Sequence, residues 1–493
     1  MSFIQLGILT LVSLLYTCDM SHAQSHDHIW LFGYPPNNQE EDFGGSMIDF
    51  NVEPPIVSFF EIPISFTTIA MISDPHGNLL AYSNGCEVIN SAHEQMEGGD
   101  SINPGIIHDI FCELGYPDGQ GAIFLPILAN KYRLLHNSIN PQGIISDLLY
   151  TDLQFEGIDN LGAVISKNMS AGNGPFAIGL TAVQHANGRD WWILEIGYES
   201  NIFHKFISDP QGVSLVDSQE IGDPLGRRDW SGQVAFSPDG DKFVRIDVSN
   251  GLRIFDFDRC SGDVSNPLLI EFPMDTVSSS GVAFSPNSRF LYVSVSTRVY
   301  QFDMWAANID SSREVVAVYD GFVGPLSTTF FQQMLAPDGK IYITAPSSVK
   351  YLHVINNPNE KGTACDLVQH GVELPTLHAF STPNFPHFGM GPVVGSPCDS
   401  LGTVSTTKSL SASSFKIYPN PSSGSFVVRI ENSLIIDKGV YCELFNINGR
   451  FIRKIGLYSD GQVIDLDVPS GVYVLHIRDK SSVLGVKRLI VIK

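Results

Sequence analysis

The sequence predicts an all-β protein, a β-propeller of about seven blades followed by a small C-terminal Ig-like β-sandwich. Three observations predict it. A Pro-centred hairpin recurs, its clearest copies beginning at Phe236, Phe284 and Leu335, 48 and 51 residues apart. No stretch of a dozen residues combines helical apolar spacing with caps. The last part of the chain then breaks the repeat and changes the sign of its charge.

The repeat can be followed in four places, "ISDPHGNLLAYSNG" (Ile72 to Gly85), "FSPDGDKFVRIDVSNG" (Phe236 to Gly251), "FSPNSRFLYVSVST" (Phe284 to Thr297) and "LAPDGKIYITAPSS" (Leu335 to Ser348). Pro presets φ at the first turn position, and Gly, Asn or Asp tolerates the positive φ that closes the hairpin. The run after each turn alternates with period two, as in Phe290 to Val295, and a third strand follows, such as "LRIFDFD" or "RVYQFDM". A fourth is visible in "PLLIEFP" and "REVVAVYDGF", so each unit is expected to be a four-stranded antiparallel sheet. Four strands in about 50 residues is the period of a propeller blade. His28 to Pro375 divides into seven such units, and "HIWLFG" or the late segment "LPTLHAFSTPNFPHFGMGPVVGSPC" is expected to close the ring.

At 493 residues, with 43% hydrophobic and 16% charged residues, the chain is globular and exceeds one ordinary core. From Ser405 onward 12 Lys+Arg stand against 7 Asp+Glu, which leaves 17 against 45 in the first 404 residues. So acidic a body excludes a nucleic-acid partner, because phosphate affinity comes from Lys and Arg. The apolar stretch Phe3 to Tyr16 is too short to span a bilayer, and Ser21-His22-Ala23 places small residues ahead of a cleavage point at Gln24. Residues 1–23 read as a secretory signal peptide in preference to lipidation at Cys18, and no transmembrane segment is expected in the mature form. Residues 24–400 are then the propeller with its closure segment, 401–414 a Ser/Thr-rich linker and 415–493 a separate module. In an exported chain the six remaining cysteines favour disulfides, and Cys86 and Cys112, flanking one loop, are the candidate pair.

No spacing assigns a catalytic, cofactor-binding or metal-binding residue. His93-Glu94 begins like H-E-x-x-H, but position 97 is Glu. Gly389 to Gly395 lacks the βαβ context of a nucleotide loop. Asp239, Asp241 and Asp338 read as turn residues, lacking the alternating pattern of a calcium loop. His26 and His28 read as a flexible terminus, and Trp191, Trp192 and Trp230 as packing in preference to a sugar-stacking face. The blade motifs resemble WD40/YVTN-type propellers of secreted bacterial proteins, a resemblance that implies a fold and no activity.

The last module reads as about seven short strands, from "FKIYPNP" to "KRLIVIK". Its motifs resemble the type A C-terminal sorting domain of the type IX secretion system of the Bacteroidetes. The opening matches Tyr418, Pro419, Asn420, Pro421 and Gly424; the "ELFNxxG" step matches Glu443 to Asn446 and Gly449; the "L…GxYxxxI" strand matches Leu466, Gly471, Tyr473 and Ile477; and Lys487 stands in the basic, β-rich end. The resemblance implies passage through the periplasm and outer-membrane translocation by type IX machinery. It also implies removal of the domain by a sortase-like peptidase, with release or attachment at the cell surface. For the propeller two functions stand: a non-enzymatic binding module for a protein or glycan, or an exported enzyme acting on polysaccharide or peptide at the propeller mouth.

Overall fold

The computed structural model describes residues 25–36, 42–156, 160–226, 232–247, 249–272, 279–399, 415–430, 441–446, 451–457, 461–478 and 483–492. The expected signal peptide and linker lie outside these residues. The chain forms two compact units, Met1–Asp399 and Ser400–Lys493.

Among the described residues the first unit is seven antiparallel sheets in chain order, the blades of a propeller. Blade 1 is β1 (Ile29–Gly33), β2 (Gly45–Asp49) and β3 (Ile56–Phe60), and blade 2 is β4 (Ala70–Ser73), β5 (Leu79–Ser83) and β6 (Val88–Asn90). Blade 3 is β7 (Ala122–Leu128), β8 (Lys131–Ile139), β9 (Ile145–Gln154) and β10 (Ala163–Phe176). Blade 4 is β11 (Ala182–Gln184), β12 (Trp191–Ile196), β13 (Ile202–Asp209) and β14 (Gly212–Glu220). Blade 5 is β15 (Gln233–Phe236), β16 (Lys242–Asp247), β17 (Gly251–Phe257) and β18 (Val264–Ile270). Blade 6 is β19 (Ser280–Phe284), β20 (Phe290–Val295), β21 (Arg298–Asp303) and β22 (Glu314–Val318), and blade 7 is β23 (Gln333–Leu335), β24 (Ile341–Ile343), β25 (Val349–Ile355) and β26 (Leu367–His378). The expectation of four strands throughout is corrected at blades 1 and 2, which have three. Blade 2 gives way after β6 to a long excursion holding the helix α1 (Ile106–Phe111), and the Cys86–Cys112 disulfide braces it.

The repeated turns owe their likeness to one hydrogen-bond pattern. In blade 5 the Ser237 hydroxyl donates to Asp239 and accepts from the Lys242 N–H, while the Gly240 N–H donates to the Ser237 carbonyl. In blade 6 Ser285, Asn287, Phe290 and Ser288 repeat it. Gly77, Gly240 and Gly339 take the positive-φ position, and Ser288 takes it at φ 59°, where a Cβ is strained. These turns mark the lower face of the ring; the connections between blades mark the upper.

The core lies between blades, because each sheet buries both faces against its neighbours. Phe243, Phe255, Phe203 and Trp192 fill the space between blades 4 and 5, and Leu291, Val293, Ile246 and Ile254 that between blades 5 and 6. Buried ion pairs assist: Arg133 of β8 forks onto Asp152 of β9 at 2.6 and 3.1 Å and reaches across to the Ser208 hydroxyl of blade 4.

The ring closes with both expected segments. After β26 the chain turns into the channel on the upper face, where the Ser381 hydroxyl donates to the Thr67 carbonyl, and descends past blade 1. Phe385 stacks on Trp30 of β1 with ring centroids 6.2 Å apart, and Phe388 meets His26 at 5.2 Å near the lower face. The descending segment thus occupies the innermost place of blade 1, which is why that blade needs only three strands of its own. On the lower face residues 389–395, the glycine-rich run, cross to blades 4 and 5. Arg259 donates to the Gly391 carbonyl at 2.6 Å, the Val393 N–H donates to the Ala186 carbonyl, and the Cys260–Cys398 disulfide holds the end.

The second unit pairs two antiparallel sheets. One is β27 (Phe415–Tyr418), β28 (Ser425–Ile430) and β31 (Gln462–Asp465); the other, in the order β30-β29-β32-β33, comprises β29 (Tyr441–Asn446), β30 (Phe451–Gly456), β32 (Gly471–Arg478) and β33 (Val483–Val491). Phe426, Val428, Leu444, Ile464, Leu475, Ile477 and Leu489 form the core between them, with the free thiol of Cys442 buried among them. Burial pushes that thiol up to about 12, so it is a packing group and not a nucleophile.

Candidate functional site

The channel of the propeller is crossed by side-chain amides. Neighbouring inner strands splay apart around the axis, so their inward backbone groups need partners from elsewhere. Gln120, just ahead of β7, accepts from the Val234 N–H and donates to the Val234 carbonyl, both at 2.9 Å, pairing with β15 as a strand residue would. Gln233 donates to the Gln333 carbonyl at 2.6 Å and accepts from the N–H groups of Val282 and Gln333. Asn384 of the descending segment donates to the carbonyls of Ala122 and Leu180, both at 2.9 Å, and its own N–H donates to the Ile69 carbonyl. Gly281 has no room for a side chain, since a Cβ there would stand 2.1 Å from the Phe331 carbonyl oxygen.

This belt divides the channel. Above it opens a mouth of about 310 Å³, walled by Pro117, Ile178, Phe331, Pro346 and Phe380, with Asp118, Gln120 and Gln332 as its polar groups. Below it lies a smaller space of about 70 Å³, reached by Thr181, Gln233, Gln333, Asn384, Asp27 and His387. Burial raises the Asp27 carboxyl to about 6 and lowers His387 from the usual histidine range. Beside the mouth, Glu195 of β12 is wholly buried. Burial, with the nearby Asp118 charge, holds it well above the usual carboxylate range against the opposing pull of Arg245.

The residues weighed from sequence fall away from this site. Trp191 and Trp192 are buried, donating their indole N–H groups to the carbonyls of Pro126 and Arg259, and Trp230 lies outside the described residues. His26 is no flexible terminus: it is 2% exposed and its Nδ1 lies 2.6 Å from the Ser73 carbonyl. His93 bonds the Tyr82 hydroxyl, and Asp239 and Asp338 serve their turns. Among the described residues no group of three or more His, Cys, Asp or Glu side chains is placed to hold a metal. Sequence reasoning missed the channel amides, since isolated Gln and Asn residues carry no spacing signal.

In the second unit the Pro-Asn-Pro turn ties the first strand to the last. Asn420 accepts from the Ile490 N–H at 2.8 Å, the Ser422 N–H donates to the Ile490 carbonyl, and the Ile492 N–H donates to the Ser422 carbonyl. Gly424, at φ 109°, starts the return into β28 and accepts from the Leu466 N–H. Asn446 stands opposite Tyr473 in the β29–β32 register, and the Tyr473 hydroxyl donates to the Pro469 carbonyl. Gly471 opens β32, Lys487 pairs with Leu475 in β33, and Gly449 lies outside the described residues. Residues 416–493 match the family described as a secretion system C-terminal sorting domain.

The module is a type IX sorting domain. It implies interaction with the type IX secretion machinery, and this sorting domain places the protein outside the cell, secreted or held at the outer-membrane surface. No helix among the described residues is long and apolar enough to cross a membrane. Solved structures similar to the chain include a putative 6-phosphogluconolactonase from Bacteroides uniformis ATCC 8492, 14% identical, covering 90% of this chain and 100% of that one, with a TM-score of 0.38. The periplasmic gluconolactonase PpgL of Pseudomonas aeruginosa is 12% identical over 90% of this chain and 100% of its own, with a TM-score of 0.36. Apo AztD from Citrobacter koseri is 13% identical over 72% and 96%, also at 0.36. At these values no activity is carried over to the propeller that the sorting domain exports. No curated protein matches the sequence.

Proposed function

We propose that the propeller is a non-enzymatic binding module, exported as cargo of the sorting domain, which a sortase-like peptidase then removes. It takes one sugar ring of a glycan, or one side chain of a protein partner, in its upper mouth. The observation that carries this reading is the chemistry of the mouth. Among the described residues its walls are Phe, Pro and Ile, its polar groups are two amides, and its one ionisable lining group is Asp118, which accepts from the Gln120 N–H. Aromatic walls with a few convergent polar groups suit recognition, whereas glycoside hydrolysis uses two carboxylates flanking one bond. At about 310 Å³ the mouth is at the small end of ligand sites.

The alternative of an exported hydrolase draws on the lower space, which Asp27 and His387 both line. Its volume of about 70 Å³ holds water and not a sugar ring, which favours the binding reading. A glycan and surface-protein binding screen of the mature protein tests the proposal, with Phe380→Ala and Gln332→Ala as mouth variants. Each variant is expected to weaken a screened ligand by about tenfold, the scale of one aromatic contact or hydrogen bond. Turnover of a screened polysaccharide, lost in Asp27→Asn, would overturn the reading in favour of the hydrolase.

A further inference from the structure

Two of the connections between blades carry apolar side chains into solvent. Between blades 2 and 3, α1 buries none of its residues; Ile106 and Ile110, one turn apart on it, share a face, and Leu114 follows. Ile110 and Leu114 are each 63% exposed. Between blades 6 and 7, Phe322, Val323 and Leu326 are exposed in the same way, Val323 to 62%. A single exposed apolar residue is ordinary, whereas a cluster marks a contact surface.

Neither segment is loose. A six-residue helix is not stable by itself, and the Cys86–Cys112 disulfide and the Thr67 hydroxyl, which donates to the Leu114 carbonyl at 2.7 Å, hold this one in place. In the other connection the Gly324 N–H donates to the Leu326 carbonyl, the Ser347 hydroxyl donates to the Ser327 carbonyl, and the Phe322 ring leans on Tyr351 and His370 with centroids 5.2 and 4.4 Å away. Side chains held out on a fixed backbone lose little freedom when a partner covers them.

Both segments lead into the mouth. The chain runs from Leu114 to Pro117, Asp118 and Gln120, and from Leu326 to Phe331 and Gln332, all of which line it. With blades 7, 1 and 2 between them on one side and blades 3 to 6 on the other, the two patches stand on opposite sides of the mouth. Aliphatic side chains offer a sugar neither an aromatic face nor a hydrogen bond, so these patches suit a protein surface better than a glycan.

The charges narrow that surface further. Asp109 and Glu113 are exposed beside Ile110, and Asp320 beside Phe322. Among the described residues the ion pairs of these carboxylates are with histidines, Asp109 with His108 at 3.4 Å and Asp320 with His370 at 3.6 Å. An apolar surface with an acidic rim complements one with Lys and Arg around its apolar centre. The excess of Asp and Glu in the first 404 residues repels both a second copy of the chain and an anionic lipid surface.

We propose that the upper face docks a basic protein, which covers the α1 and Phe322–Leu326 patches with apolar side chains and places one side chain in the mouth between them. The proposal rests on the binding reading of the mouth and narrows its partner to a protein.

The test is photo-crosslinking on cells that export the full chain, with p-benzoylphenylalanine in place of Ile110, Val323 or Phe380 in turn. All three positions are expected to capture the same protein. That protein, purified, should bind the mature chain, and raised salt should weaken it. Ile110→Asp combined with Val323→Asp should weaken it about tenfold or more. Both side chains are exposed, so the melting temperature of this variant should stay within a few degrees of the unaltered protein. Capture of a second copy, of lipid or of polysaccharide at positions 110 and 323, or binding unchanged in the double variant, would overturn the proposal. Capture at Phe380 alone would overturn it while leaving the binding reading of the mouth intact, and capture at none of the three would count against both.

Discussion

Glu195 sits in β12 fully buried, with neither carboxyl oxygen hydrogen-bonded. Its pKa is raised in the folded state, so folding favours the protonated form. The unfolded chain releases that proton near pH 4, and stability falls as pH rises above that value until the folded pKa is reached. Glu195→Leu should remove this loss and raise stability at pH 7 by about 1–3 kcal/mol, read from urea midpoints. A destabilised variant would mean that Glu195 is ionised and paired with Arg245. His136 has the opposite dependence. It is fully buried between Asn103 and Thr151, and burial lowers its pKa to about 3. An unfolded histidine takes its proton near pH 6.5, so the fold loses stability steadily from pH 6.5 toward 3. His26, His353 and His378 are shifted in the same direction by burial. The melting temperature is therefore expected to drop on acidification from pH 7 to 4, and less steeply in His136→Gln. A flat profile would contradict the neutral buried histidines. None of these residues announces itself in the sequence, since a lone His or Glu between β-branched neighbours looks like any strand residue.

Among elements, the descending segment after β26 has the greatest effect for its length. Asn384 alone bonds carbonyls belonging to blades 3 and 4 and the strand lead-in of blade 2. Asn384→Ala should cost about 3 kcal/mol or more, because it strands two buried carbonyls, and should widen access from the mouth to the lower space. A denaturation midpoint equal to that of the unaltered protein would show the belt to be dispensable. The Cys260–Cys398 disulfide spans 138 residues and pins the same segment. Replacing both cysteines by Ser should lower stability by about 2–5 kcal/mol, checked by melting with and without reductant. The hairpins were legible in advance because Ser-Pro-Asp-Gly carries its own hydrogen-bond pattern within five residues. The three strands of blade 1 were not, since what fills the place of its missing strand lies over 300 residues away in the chain.

At the scale of the molecule, an acidic propeller and a basic sorting domain answer different demands. The propeller presents its mouth on the upper face, while its own C-terminal run leaves across the lower. If the sorting domain acts as its family implies, deleting residues 415–493 should leave the propeller in the periplasm, still folded and still able to bind. Export unchanged by the deletion would contradict the assignment of residues 416–493. The sorting motif could be aligned residue by residue only through its resemblance to a known family, since Asn420 and Gly424 serve junctions with Ile490 and Leu466, far along the chain.

The sequence alone determined the strand period and the repeated hairpin, because turn chemistry and alternation act over a few residues, and the resemblance of its last module to a known family implied the address. Tertiary structure alone decided that the ring closes through its axis and that Gln120, Gln233 and Asn384 seal the channel. These depend on which strands the closed ring brings to face one another, and a side chain's partner across an axis leaves no trace in its neighbours along the chain.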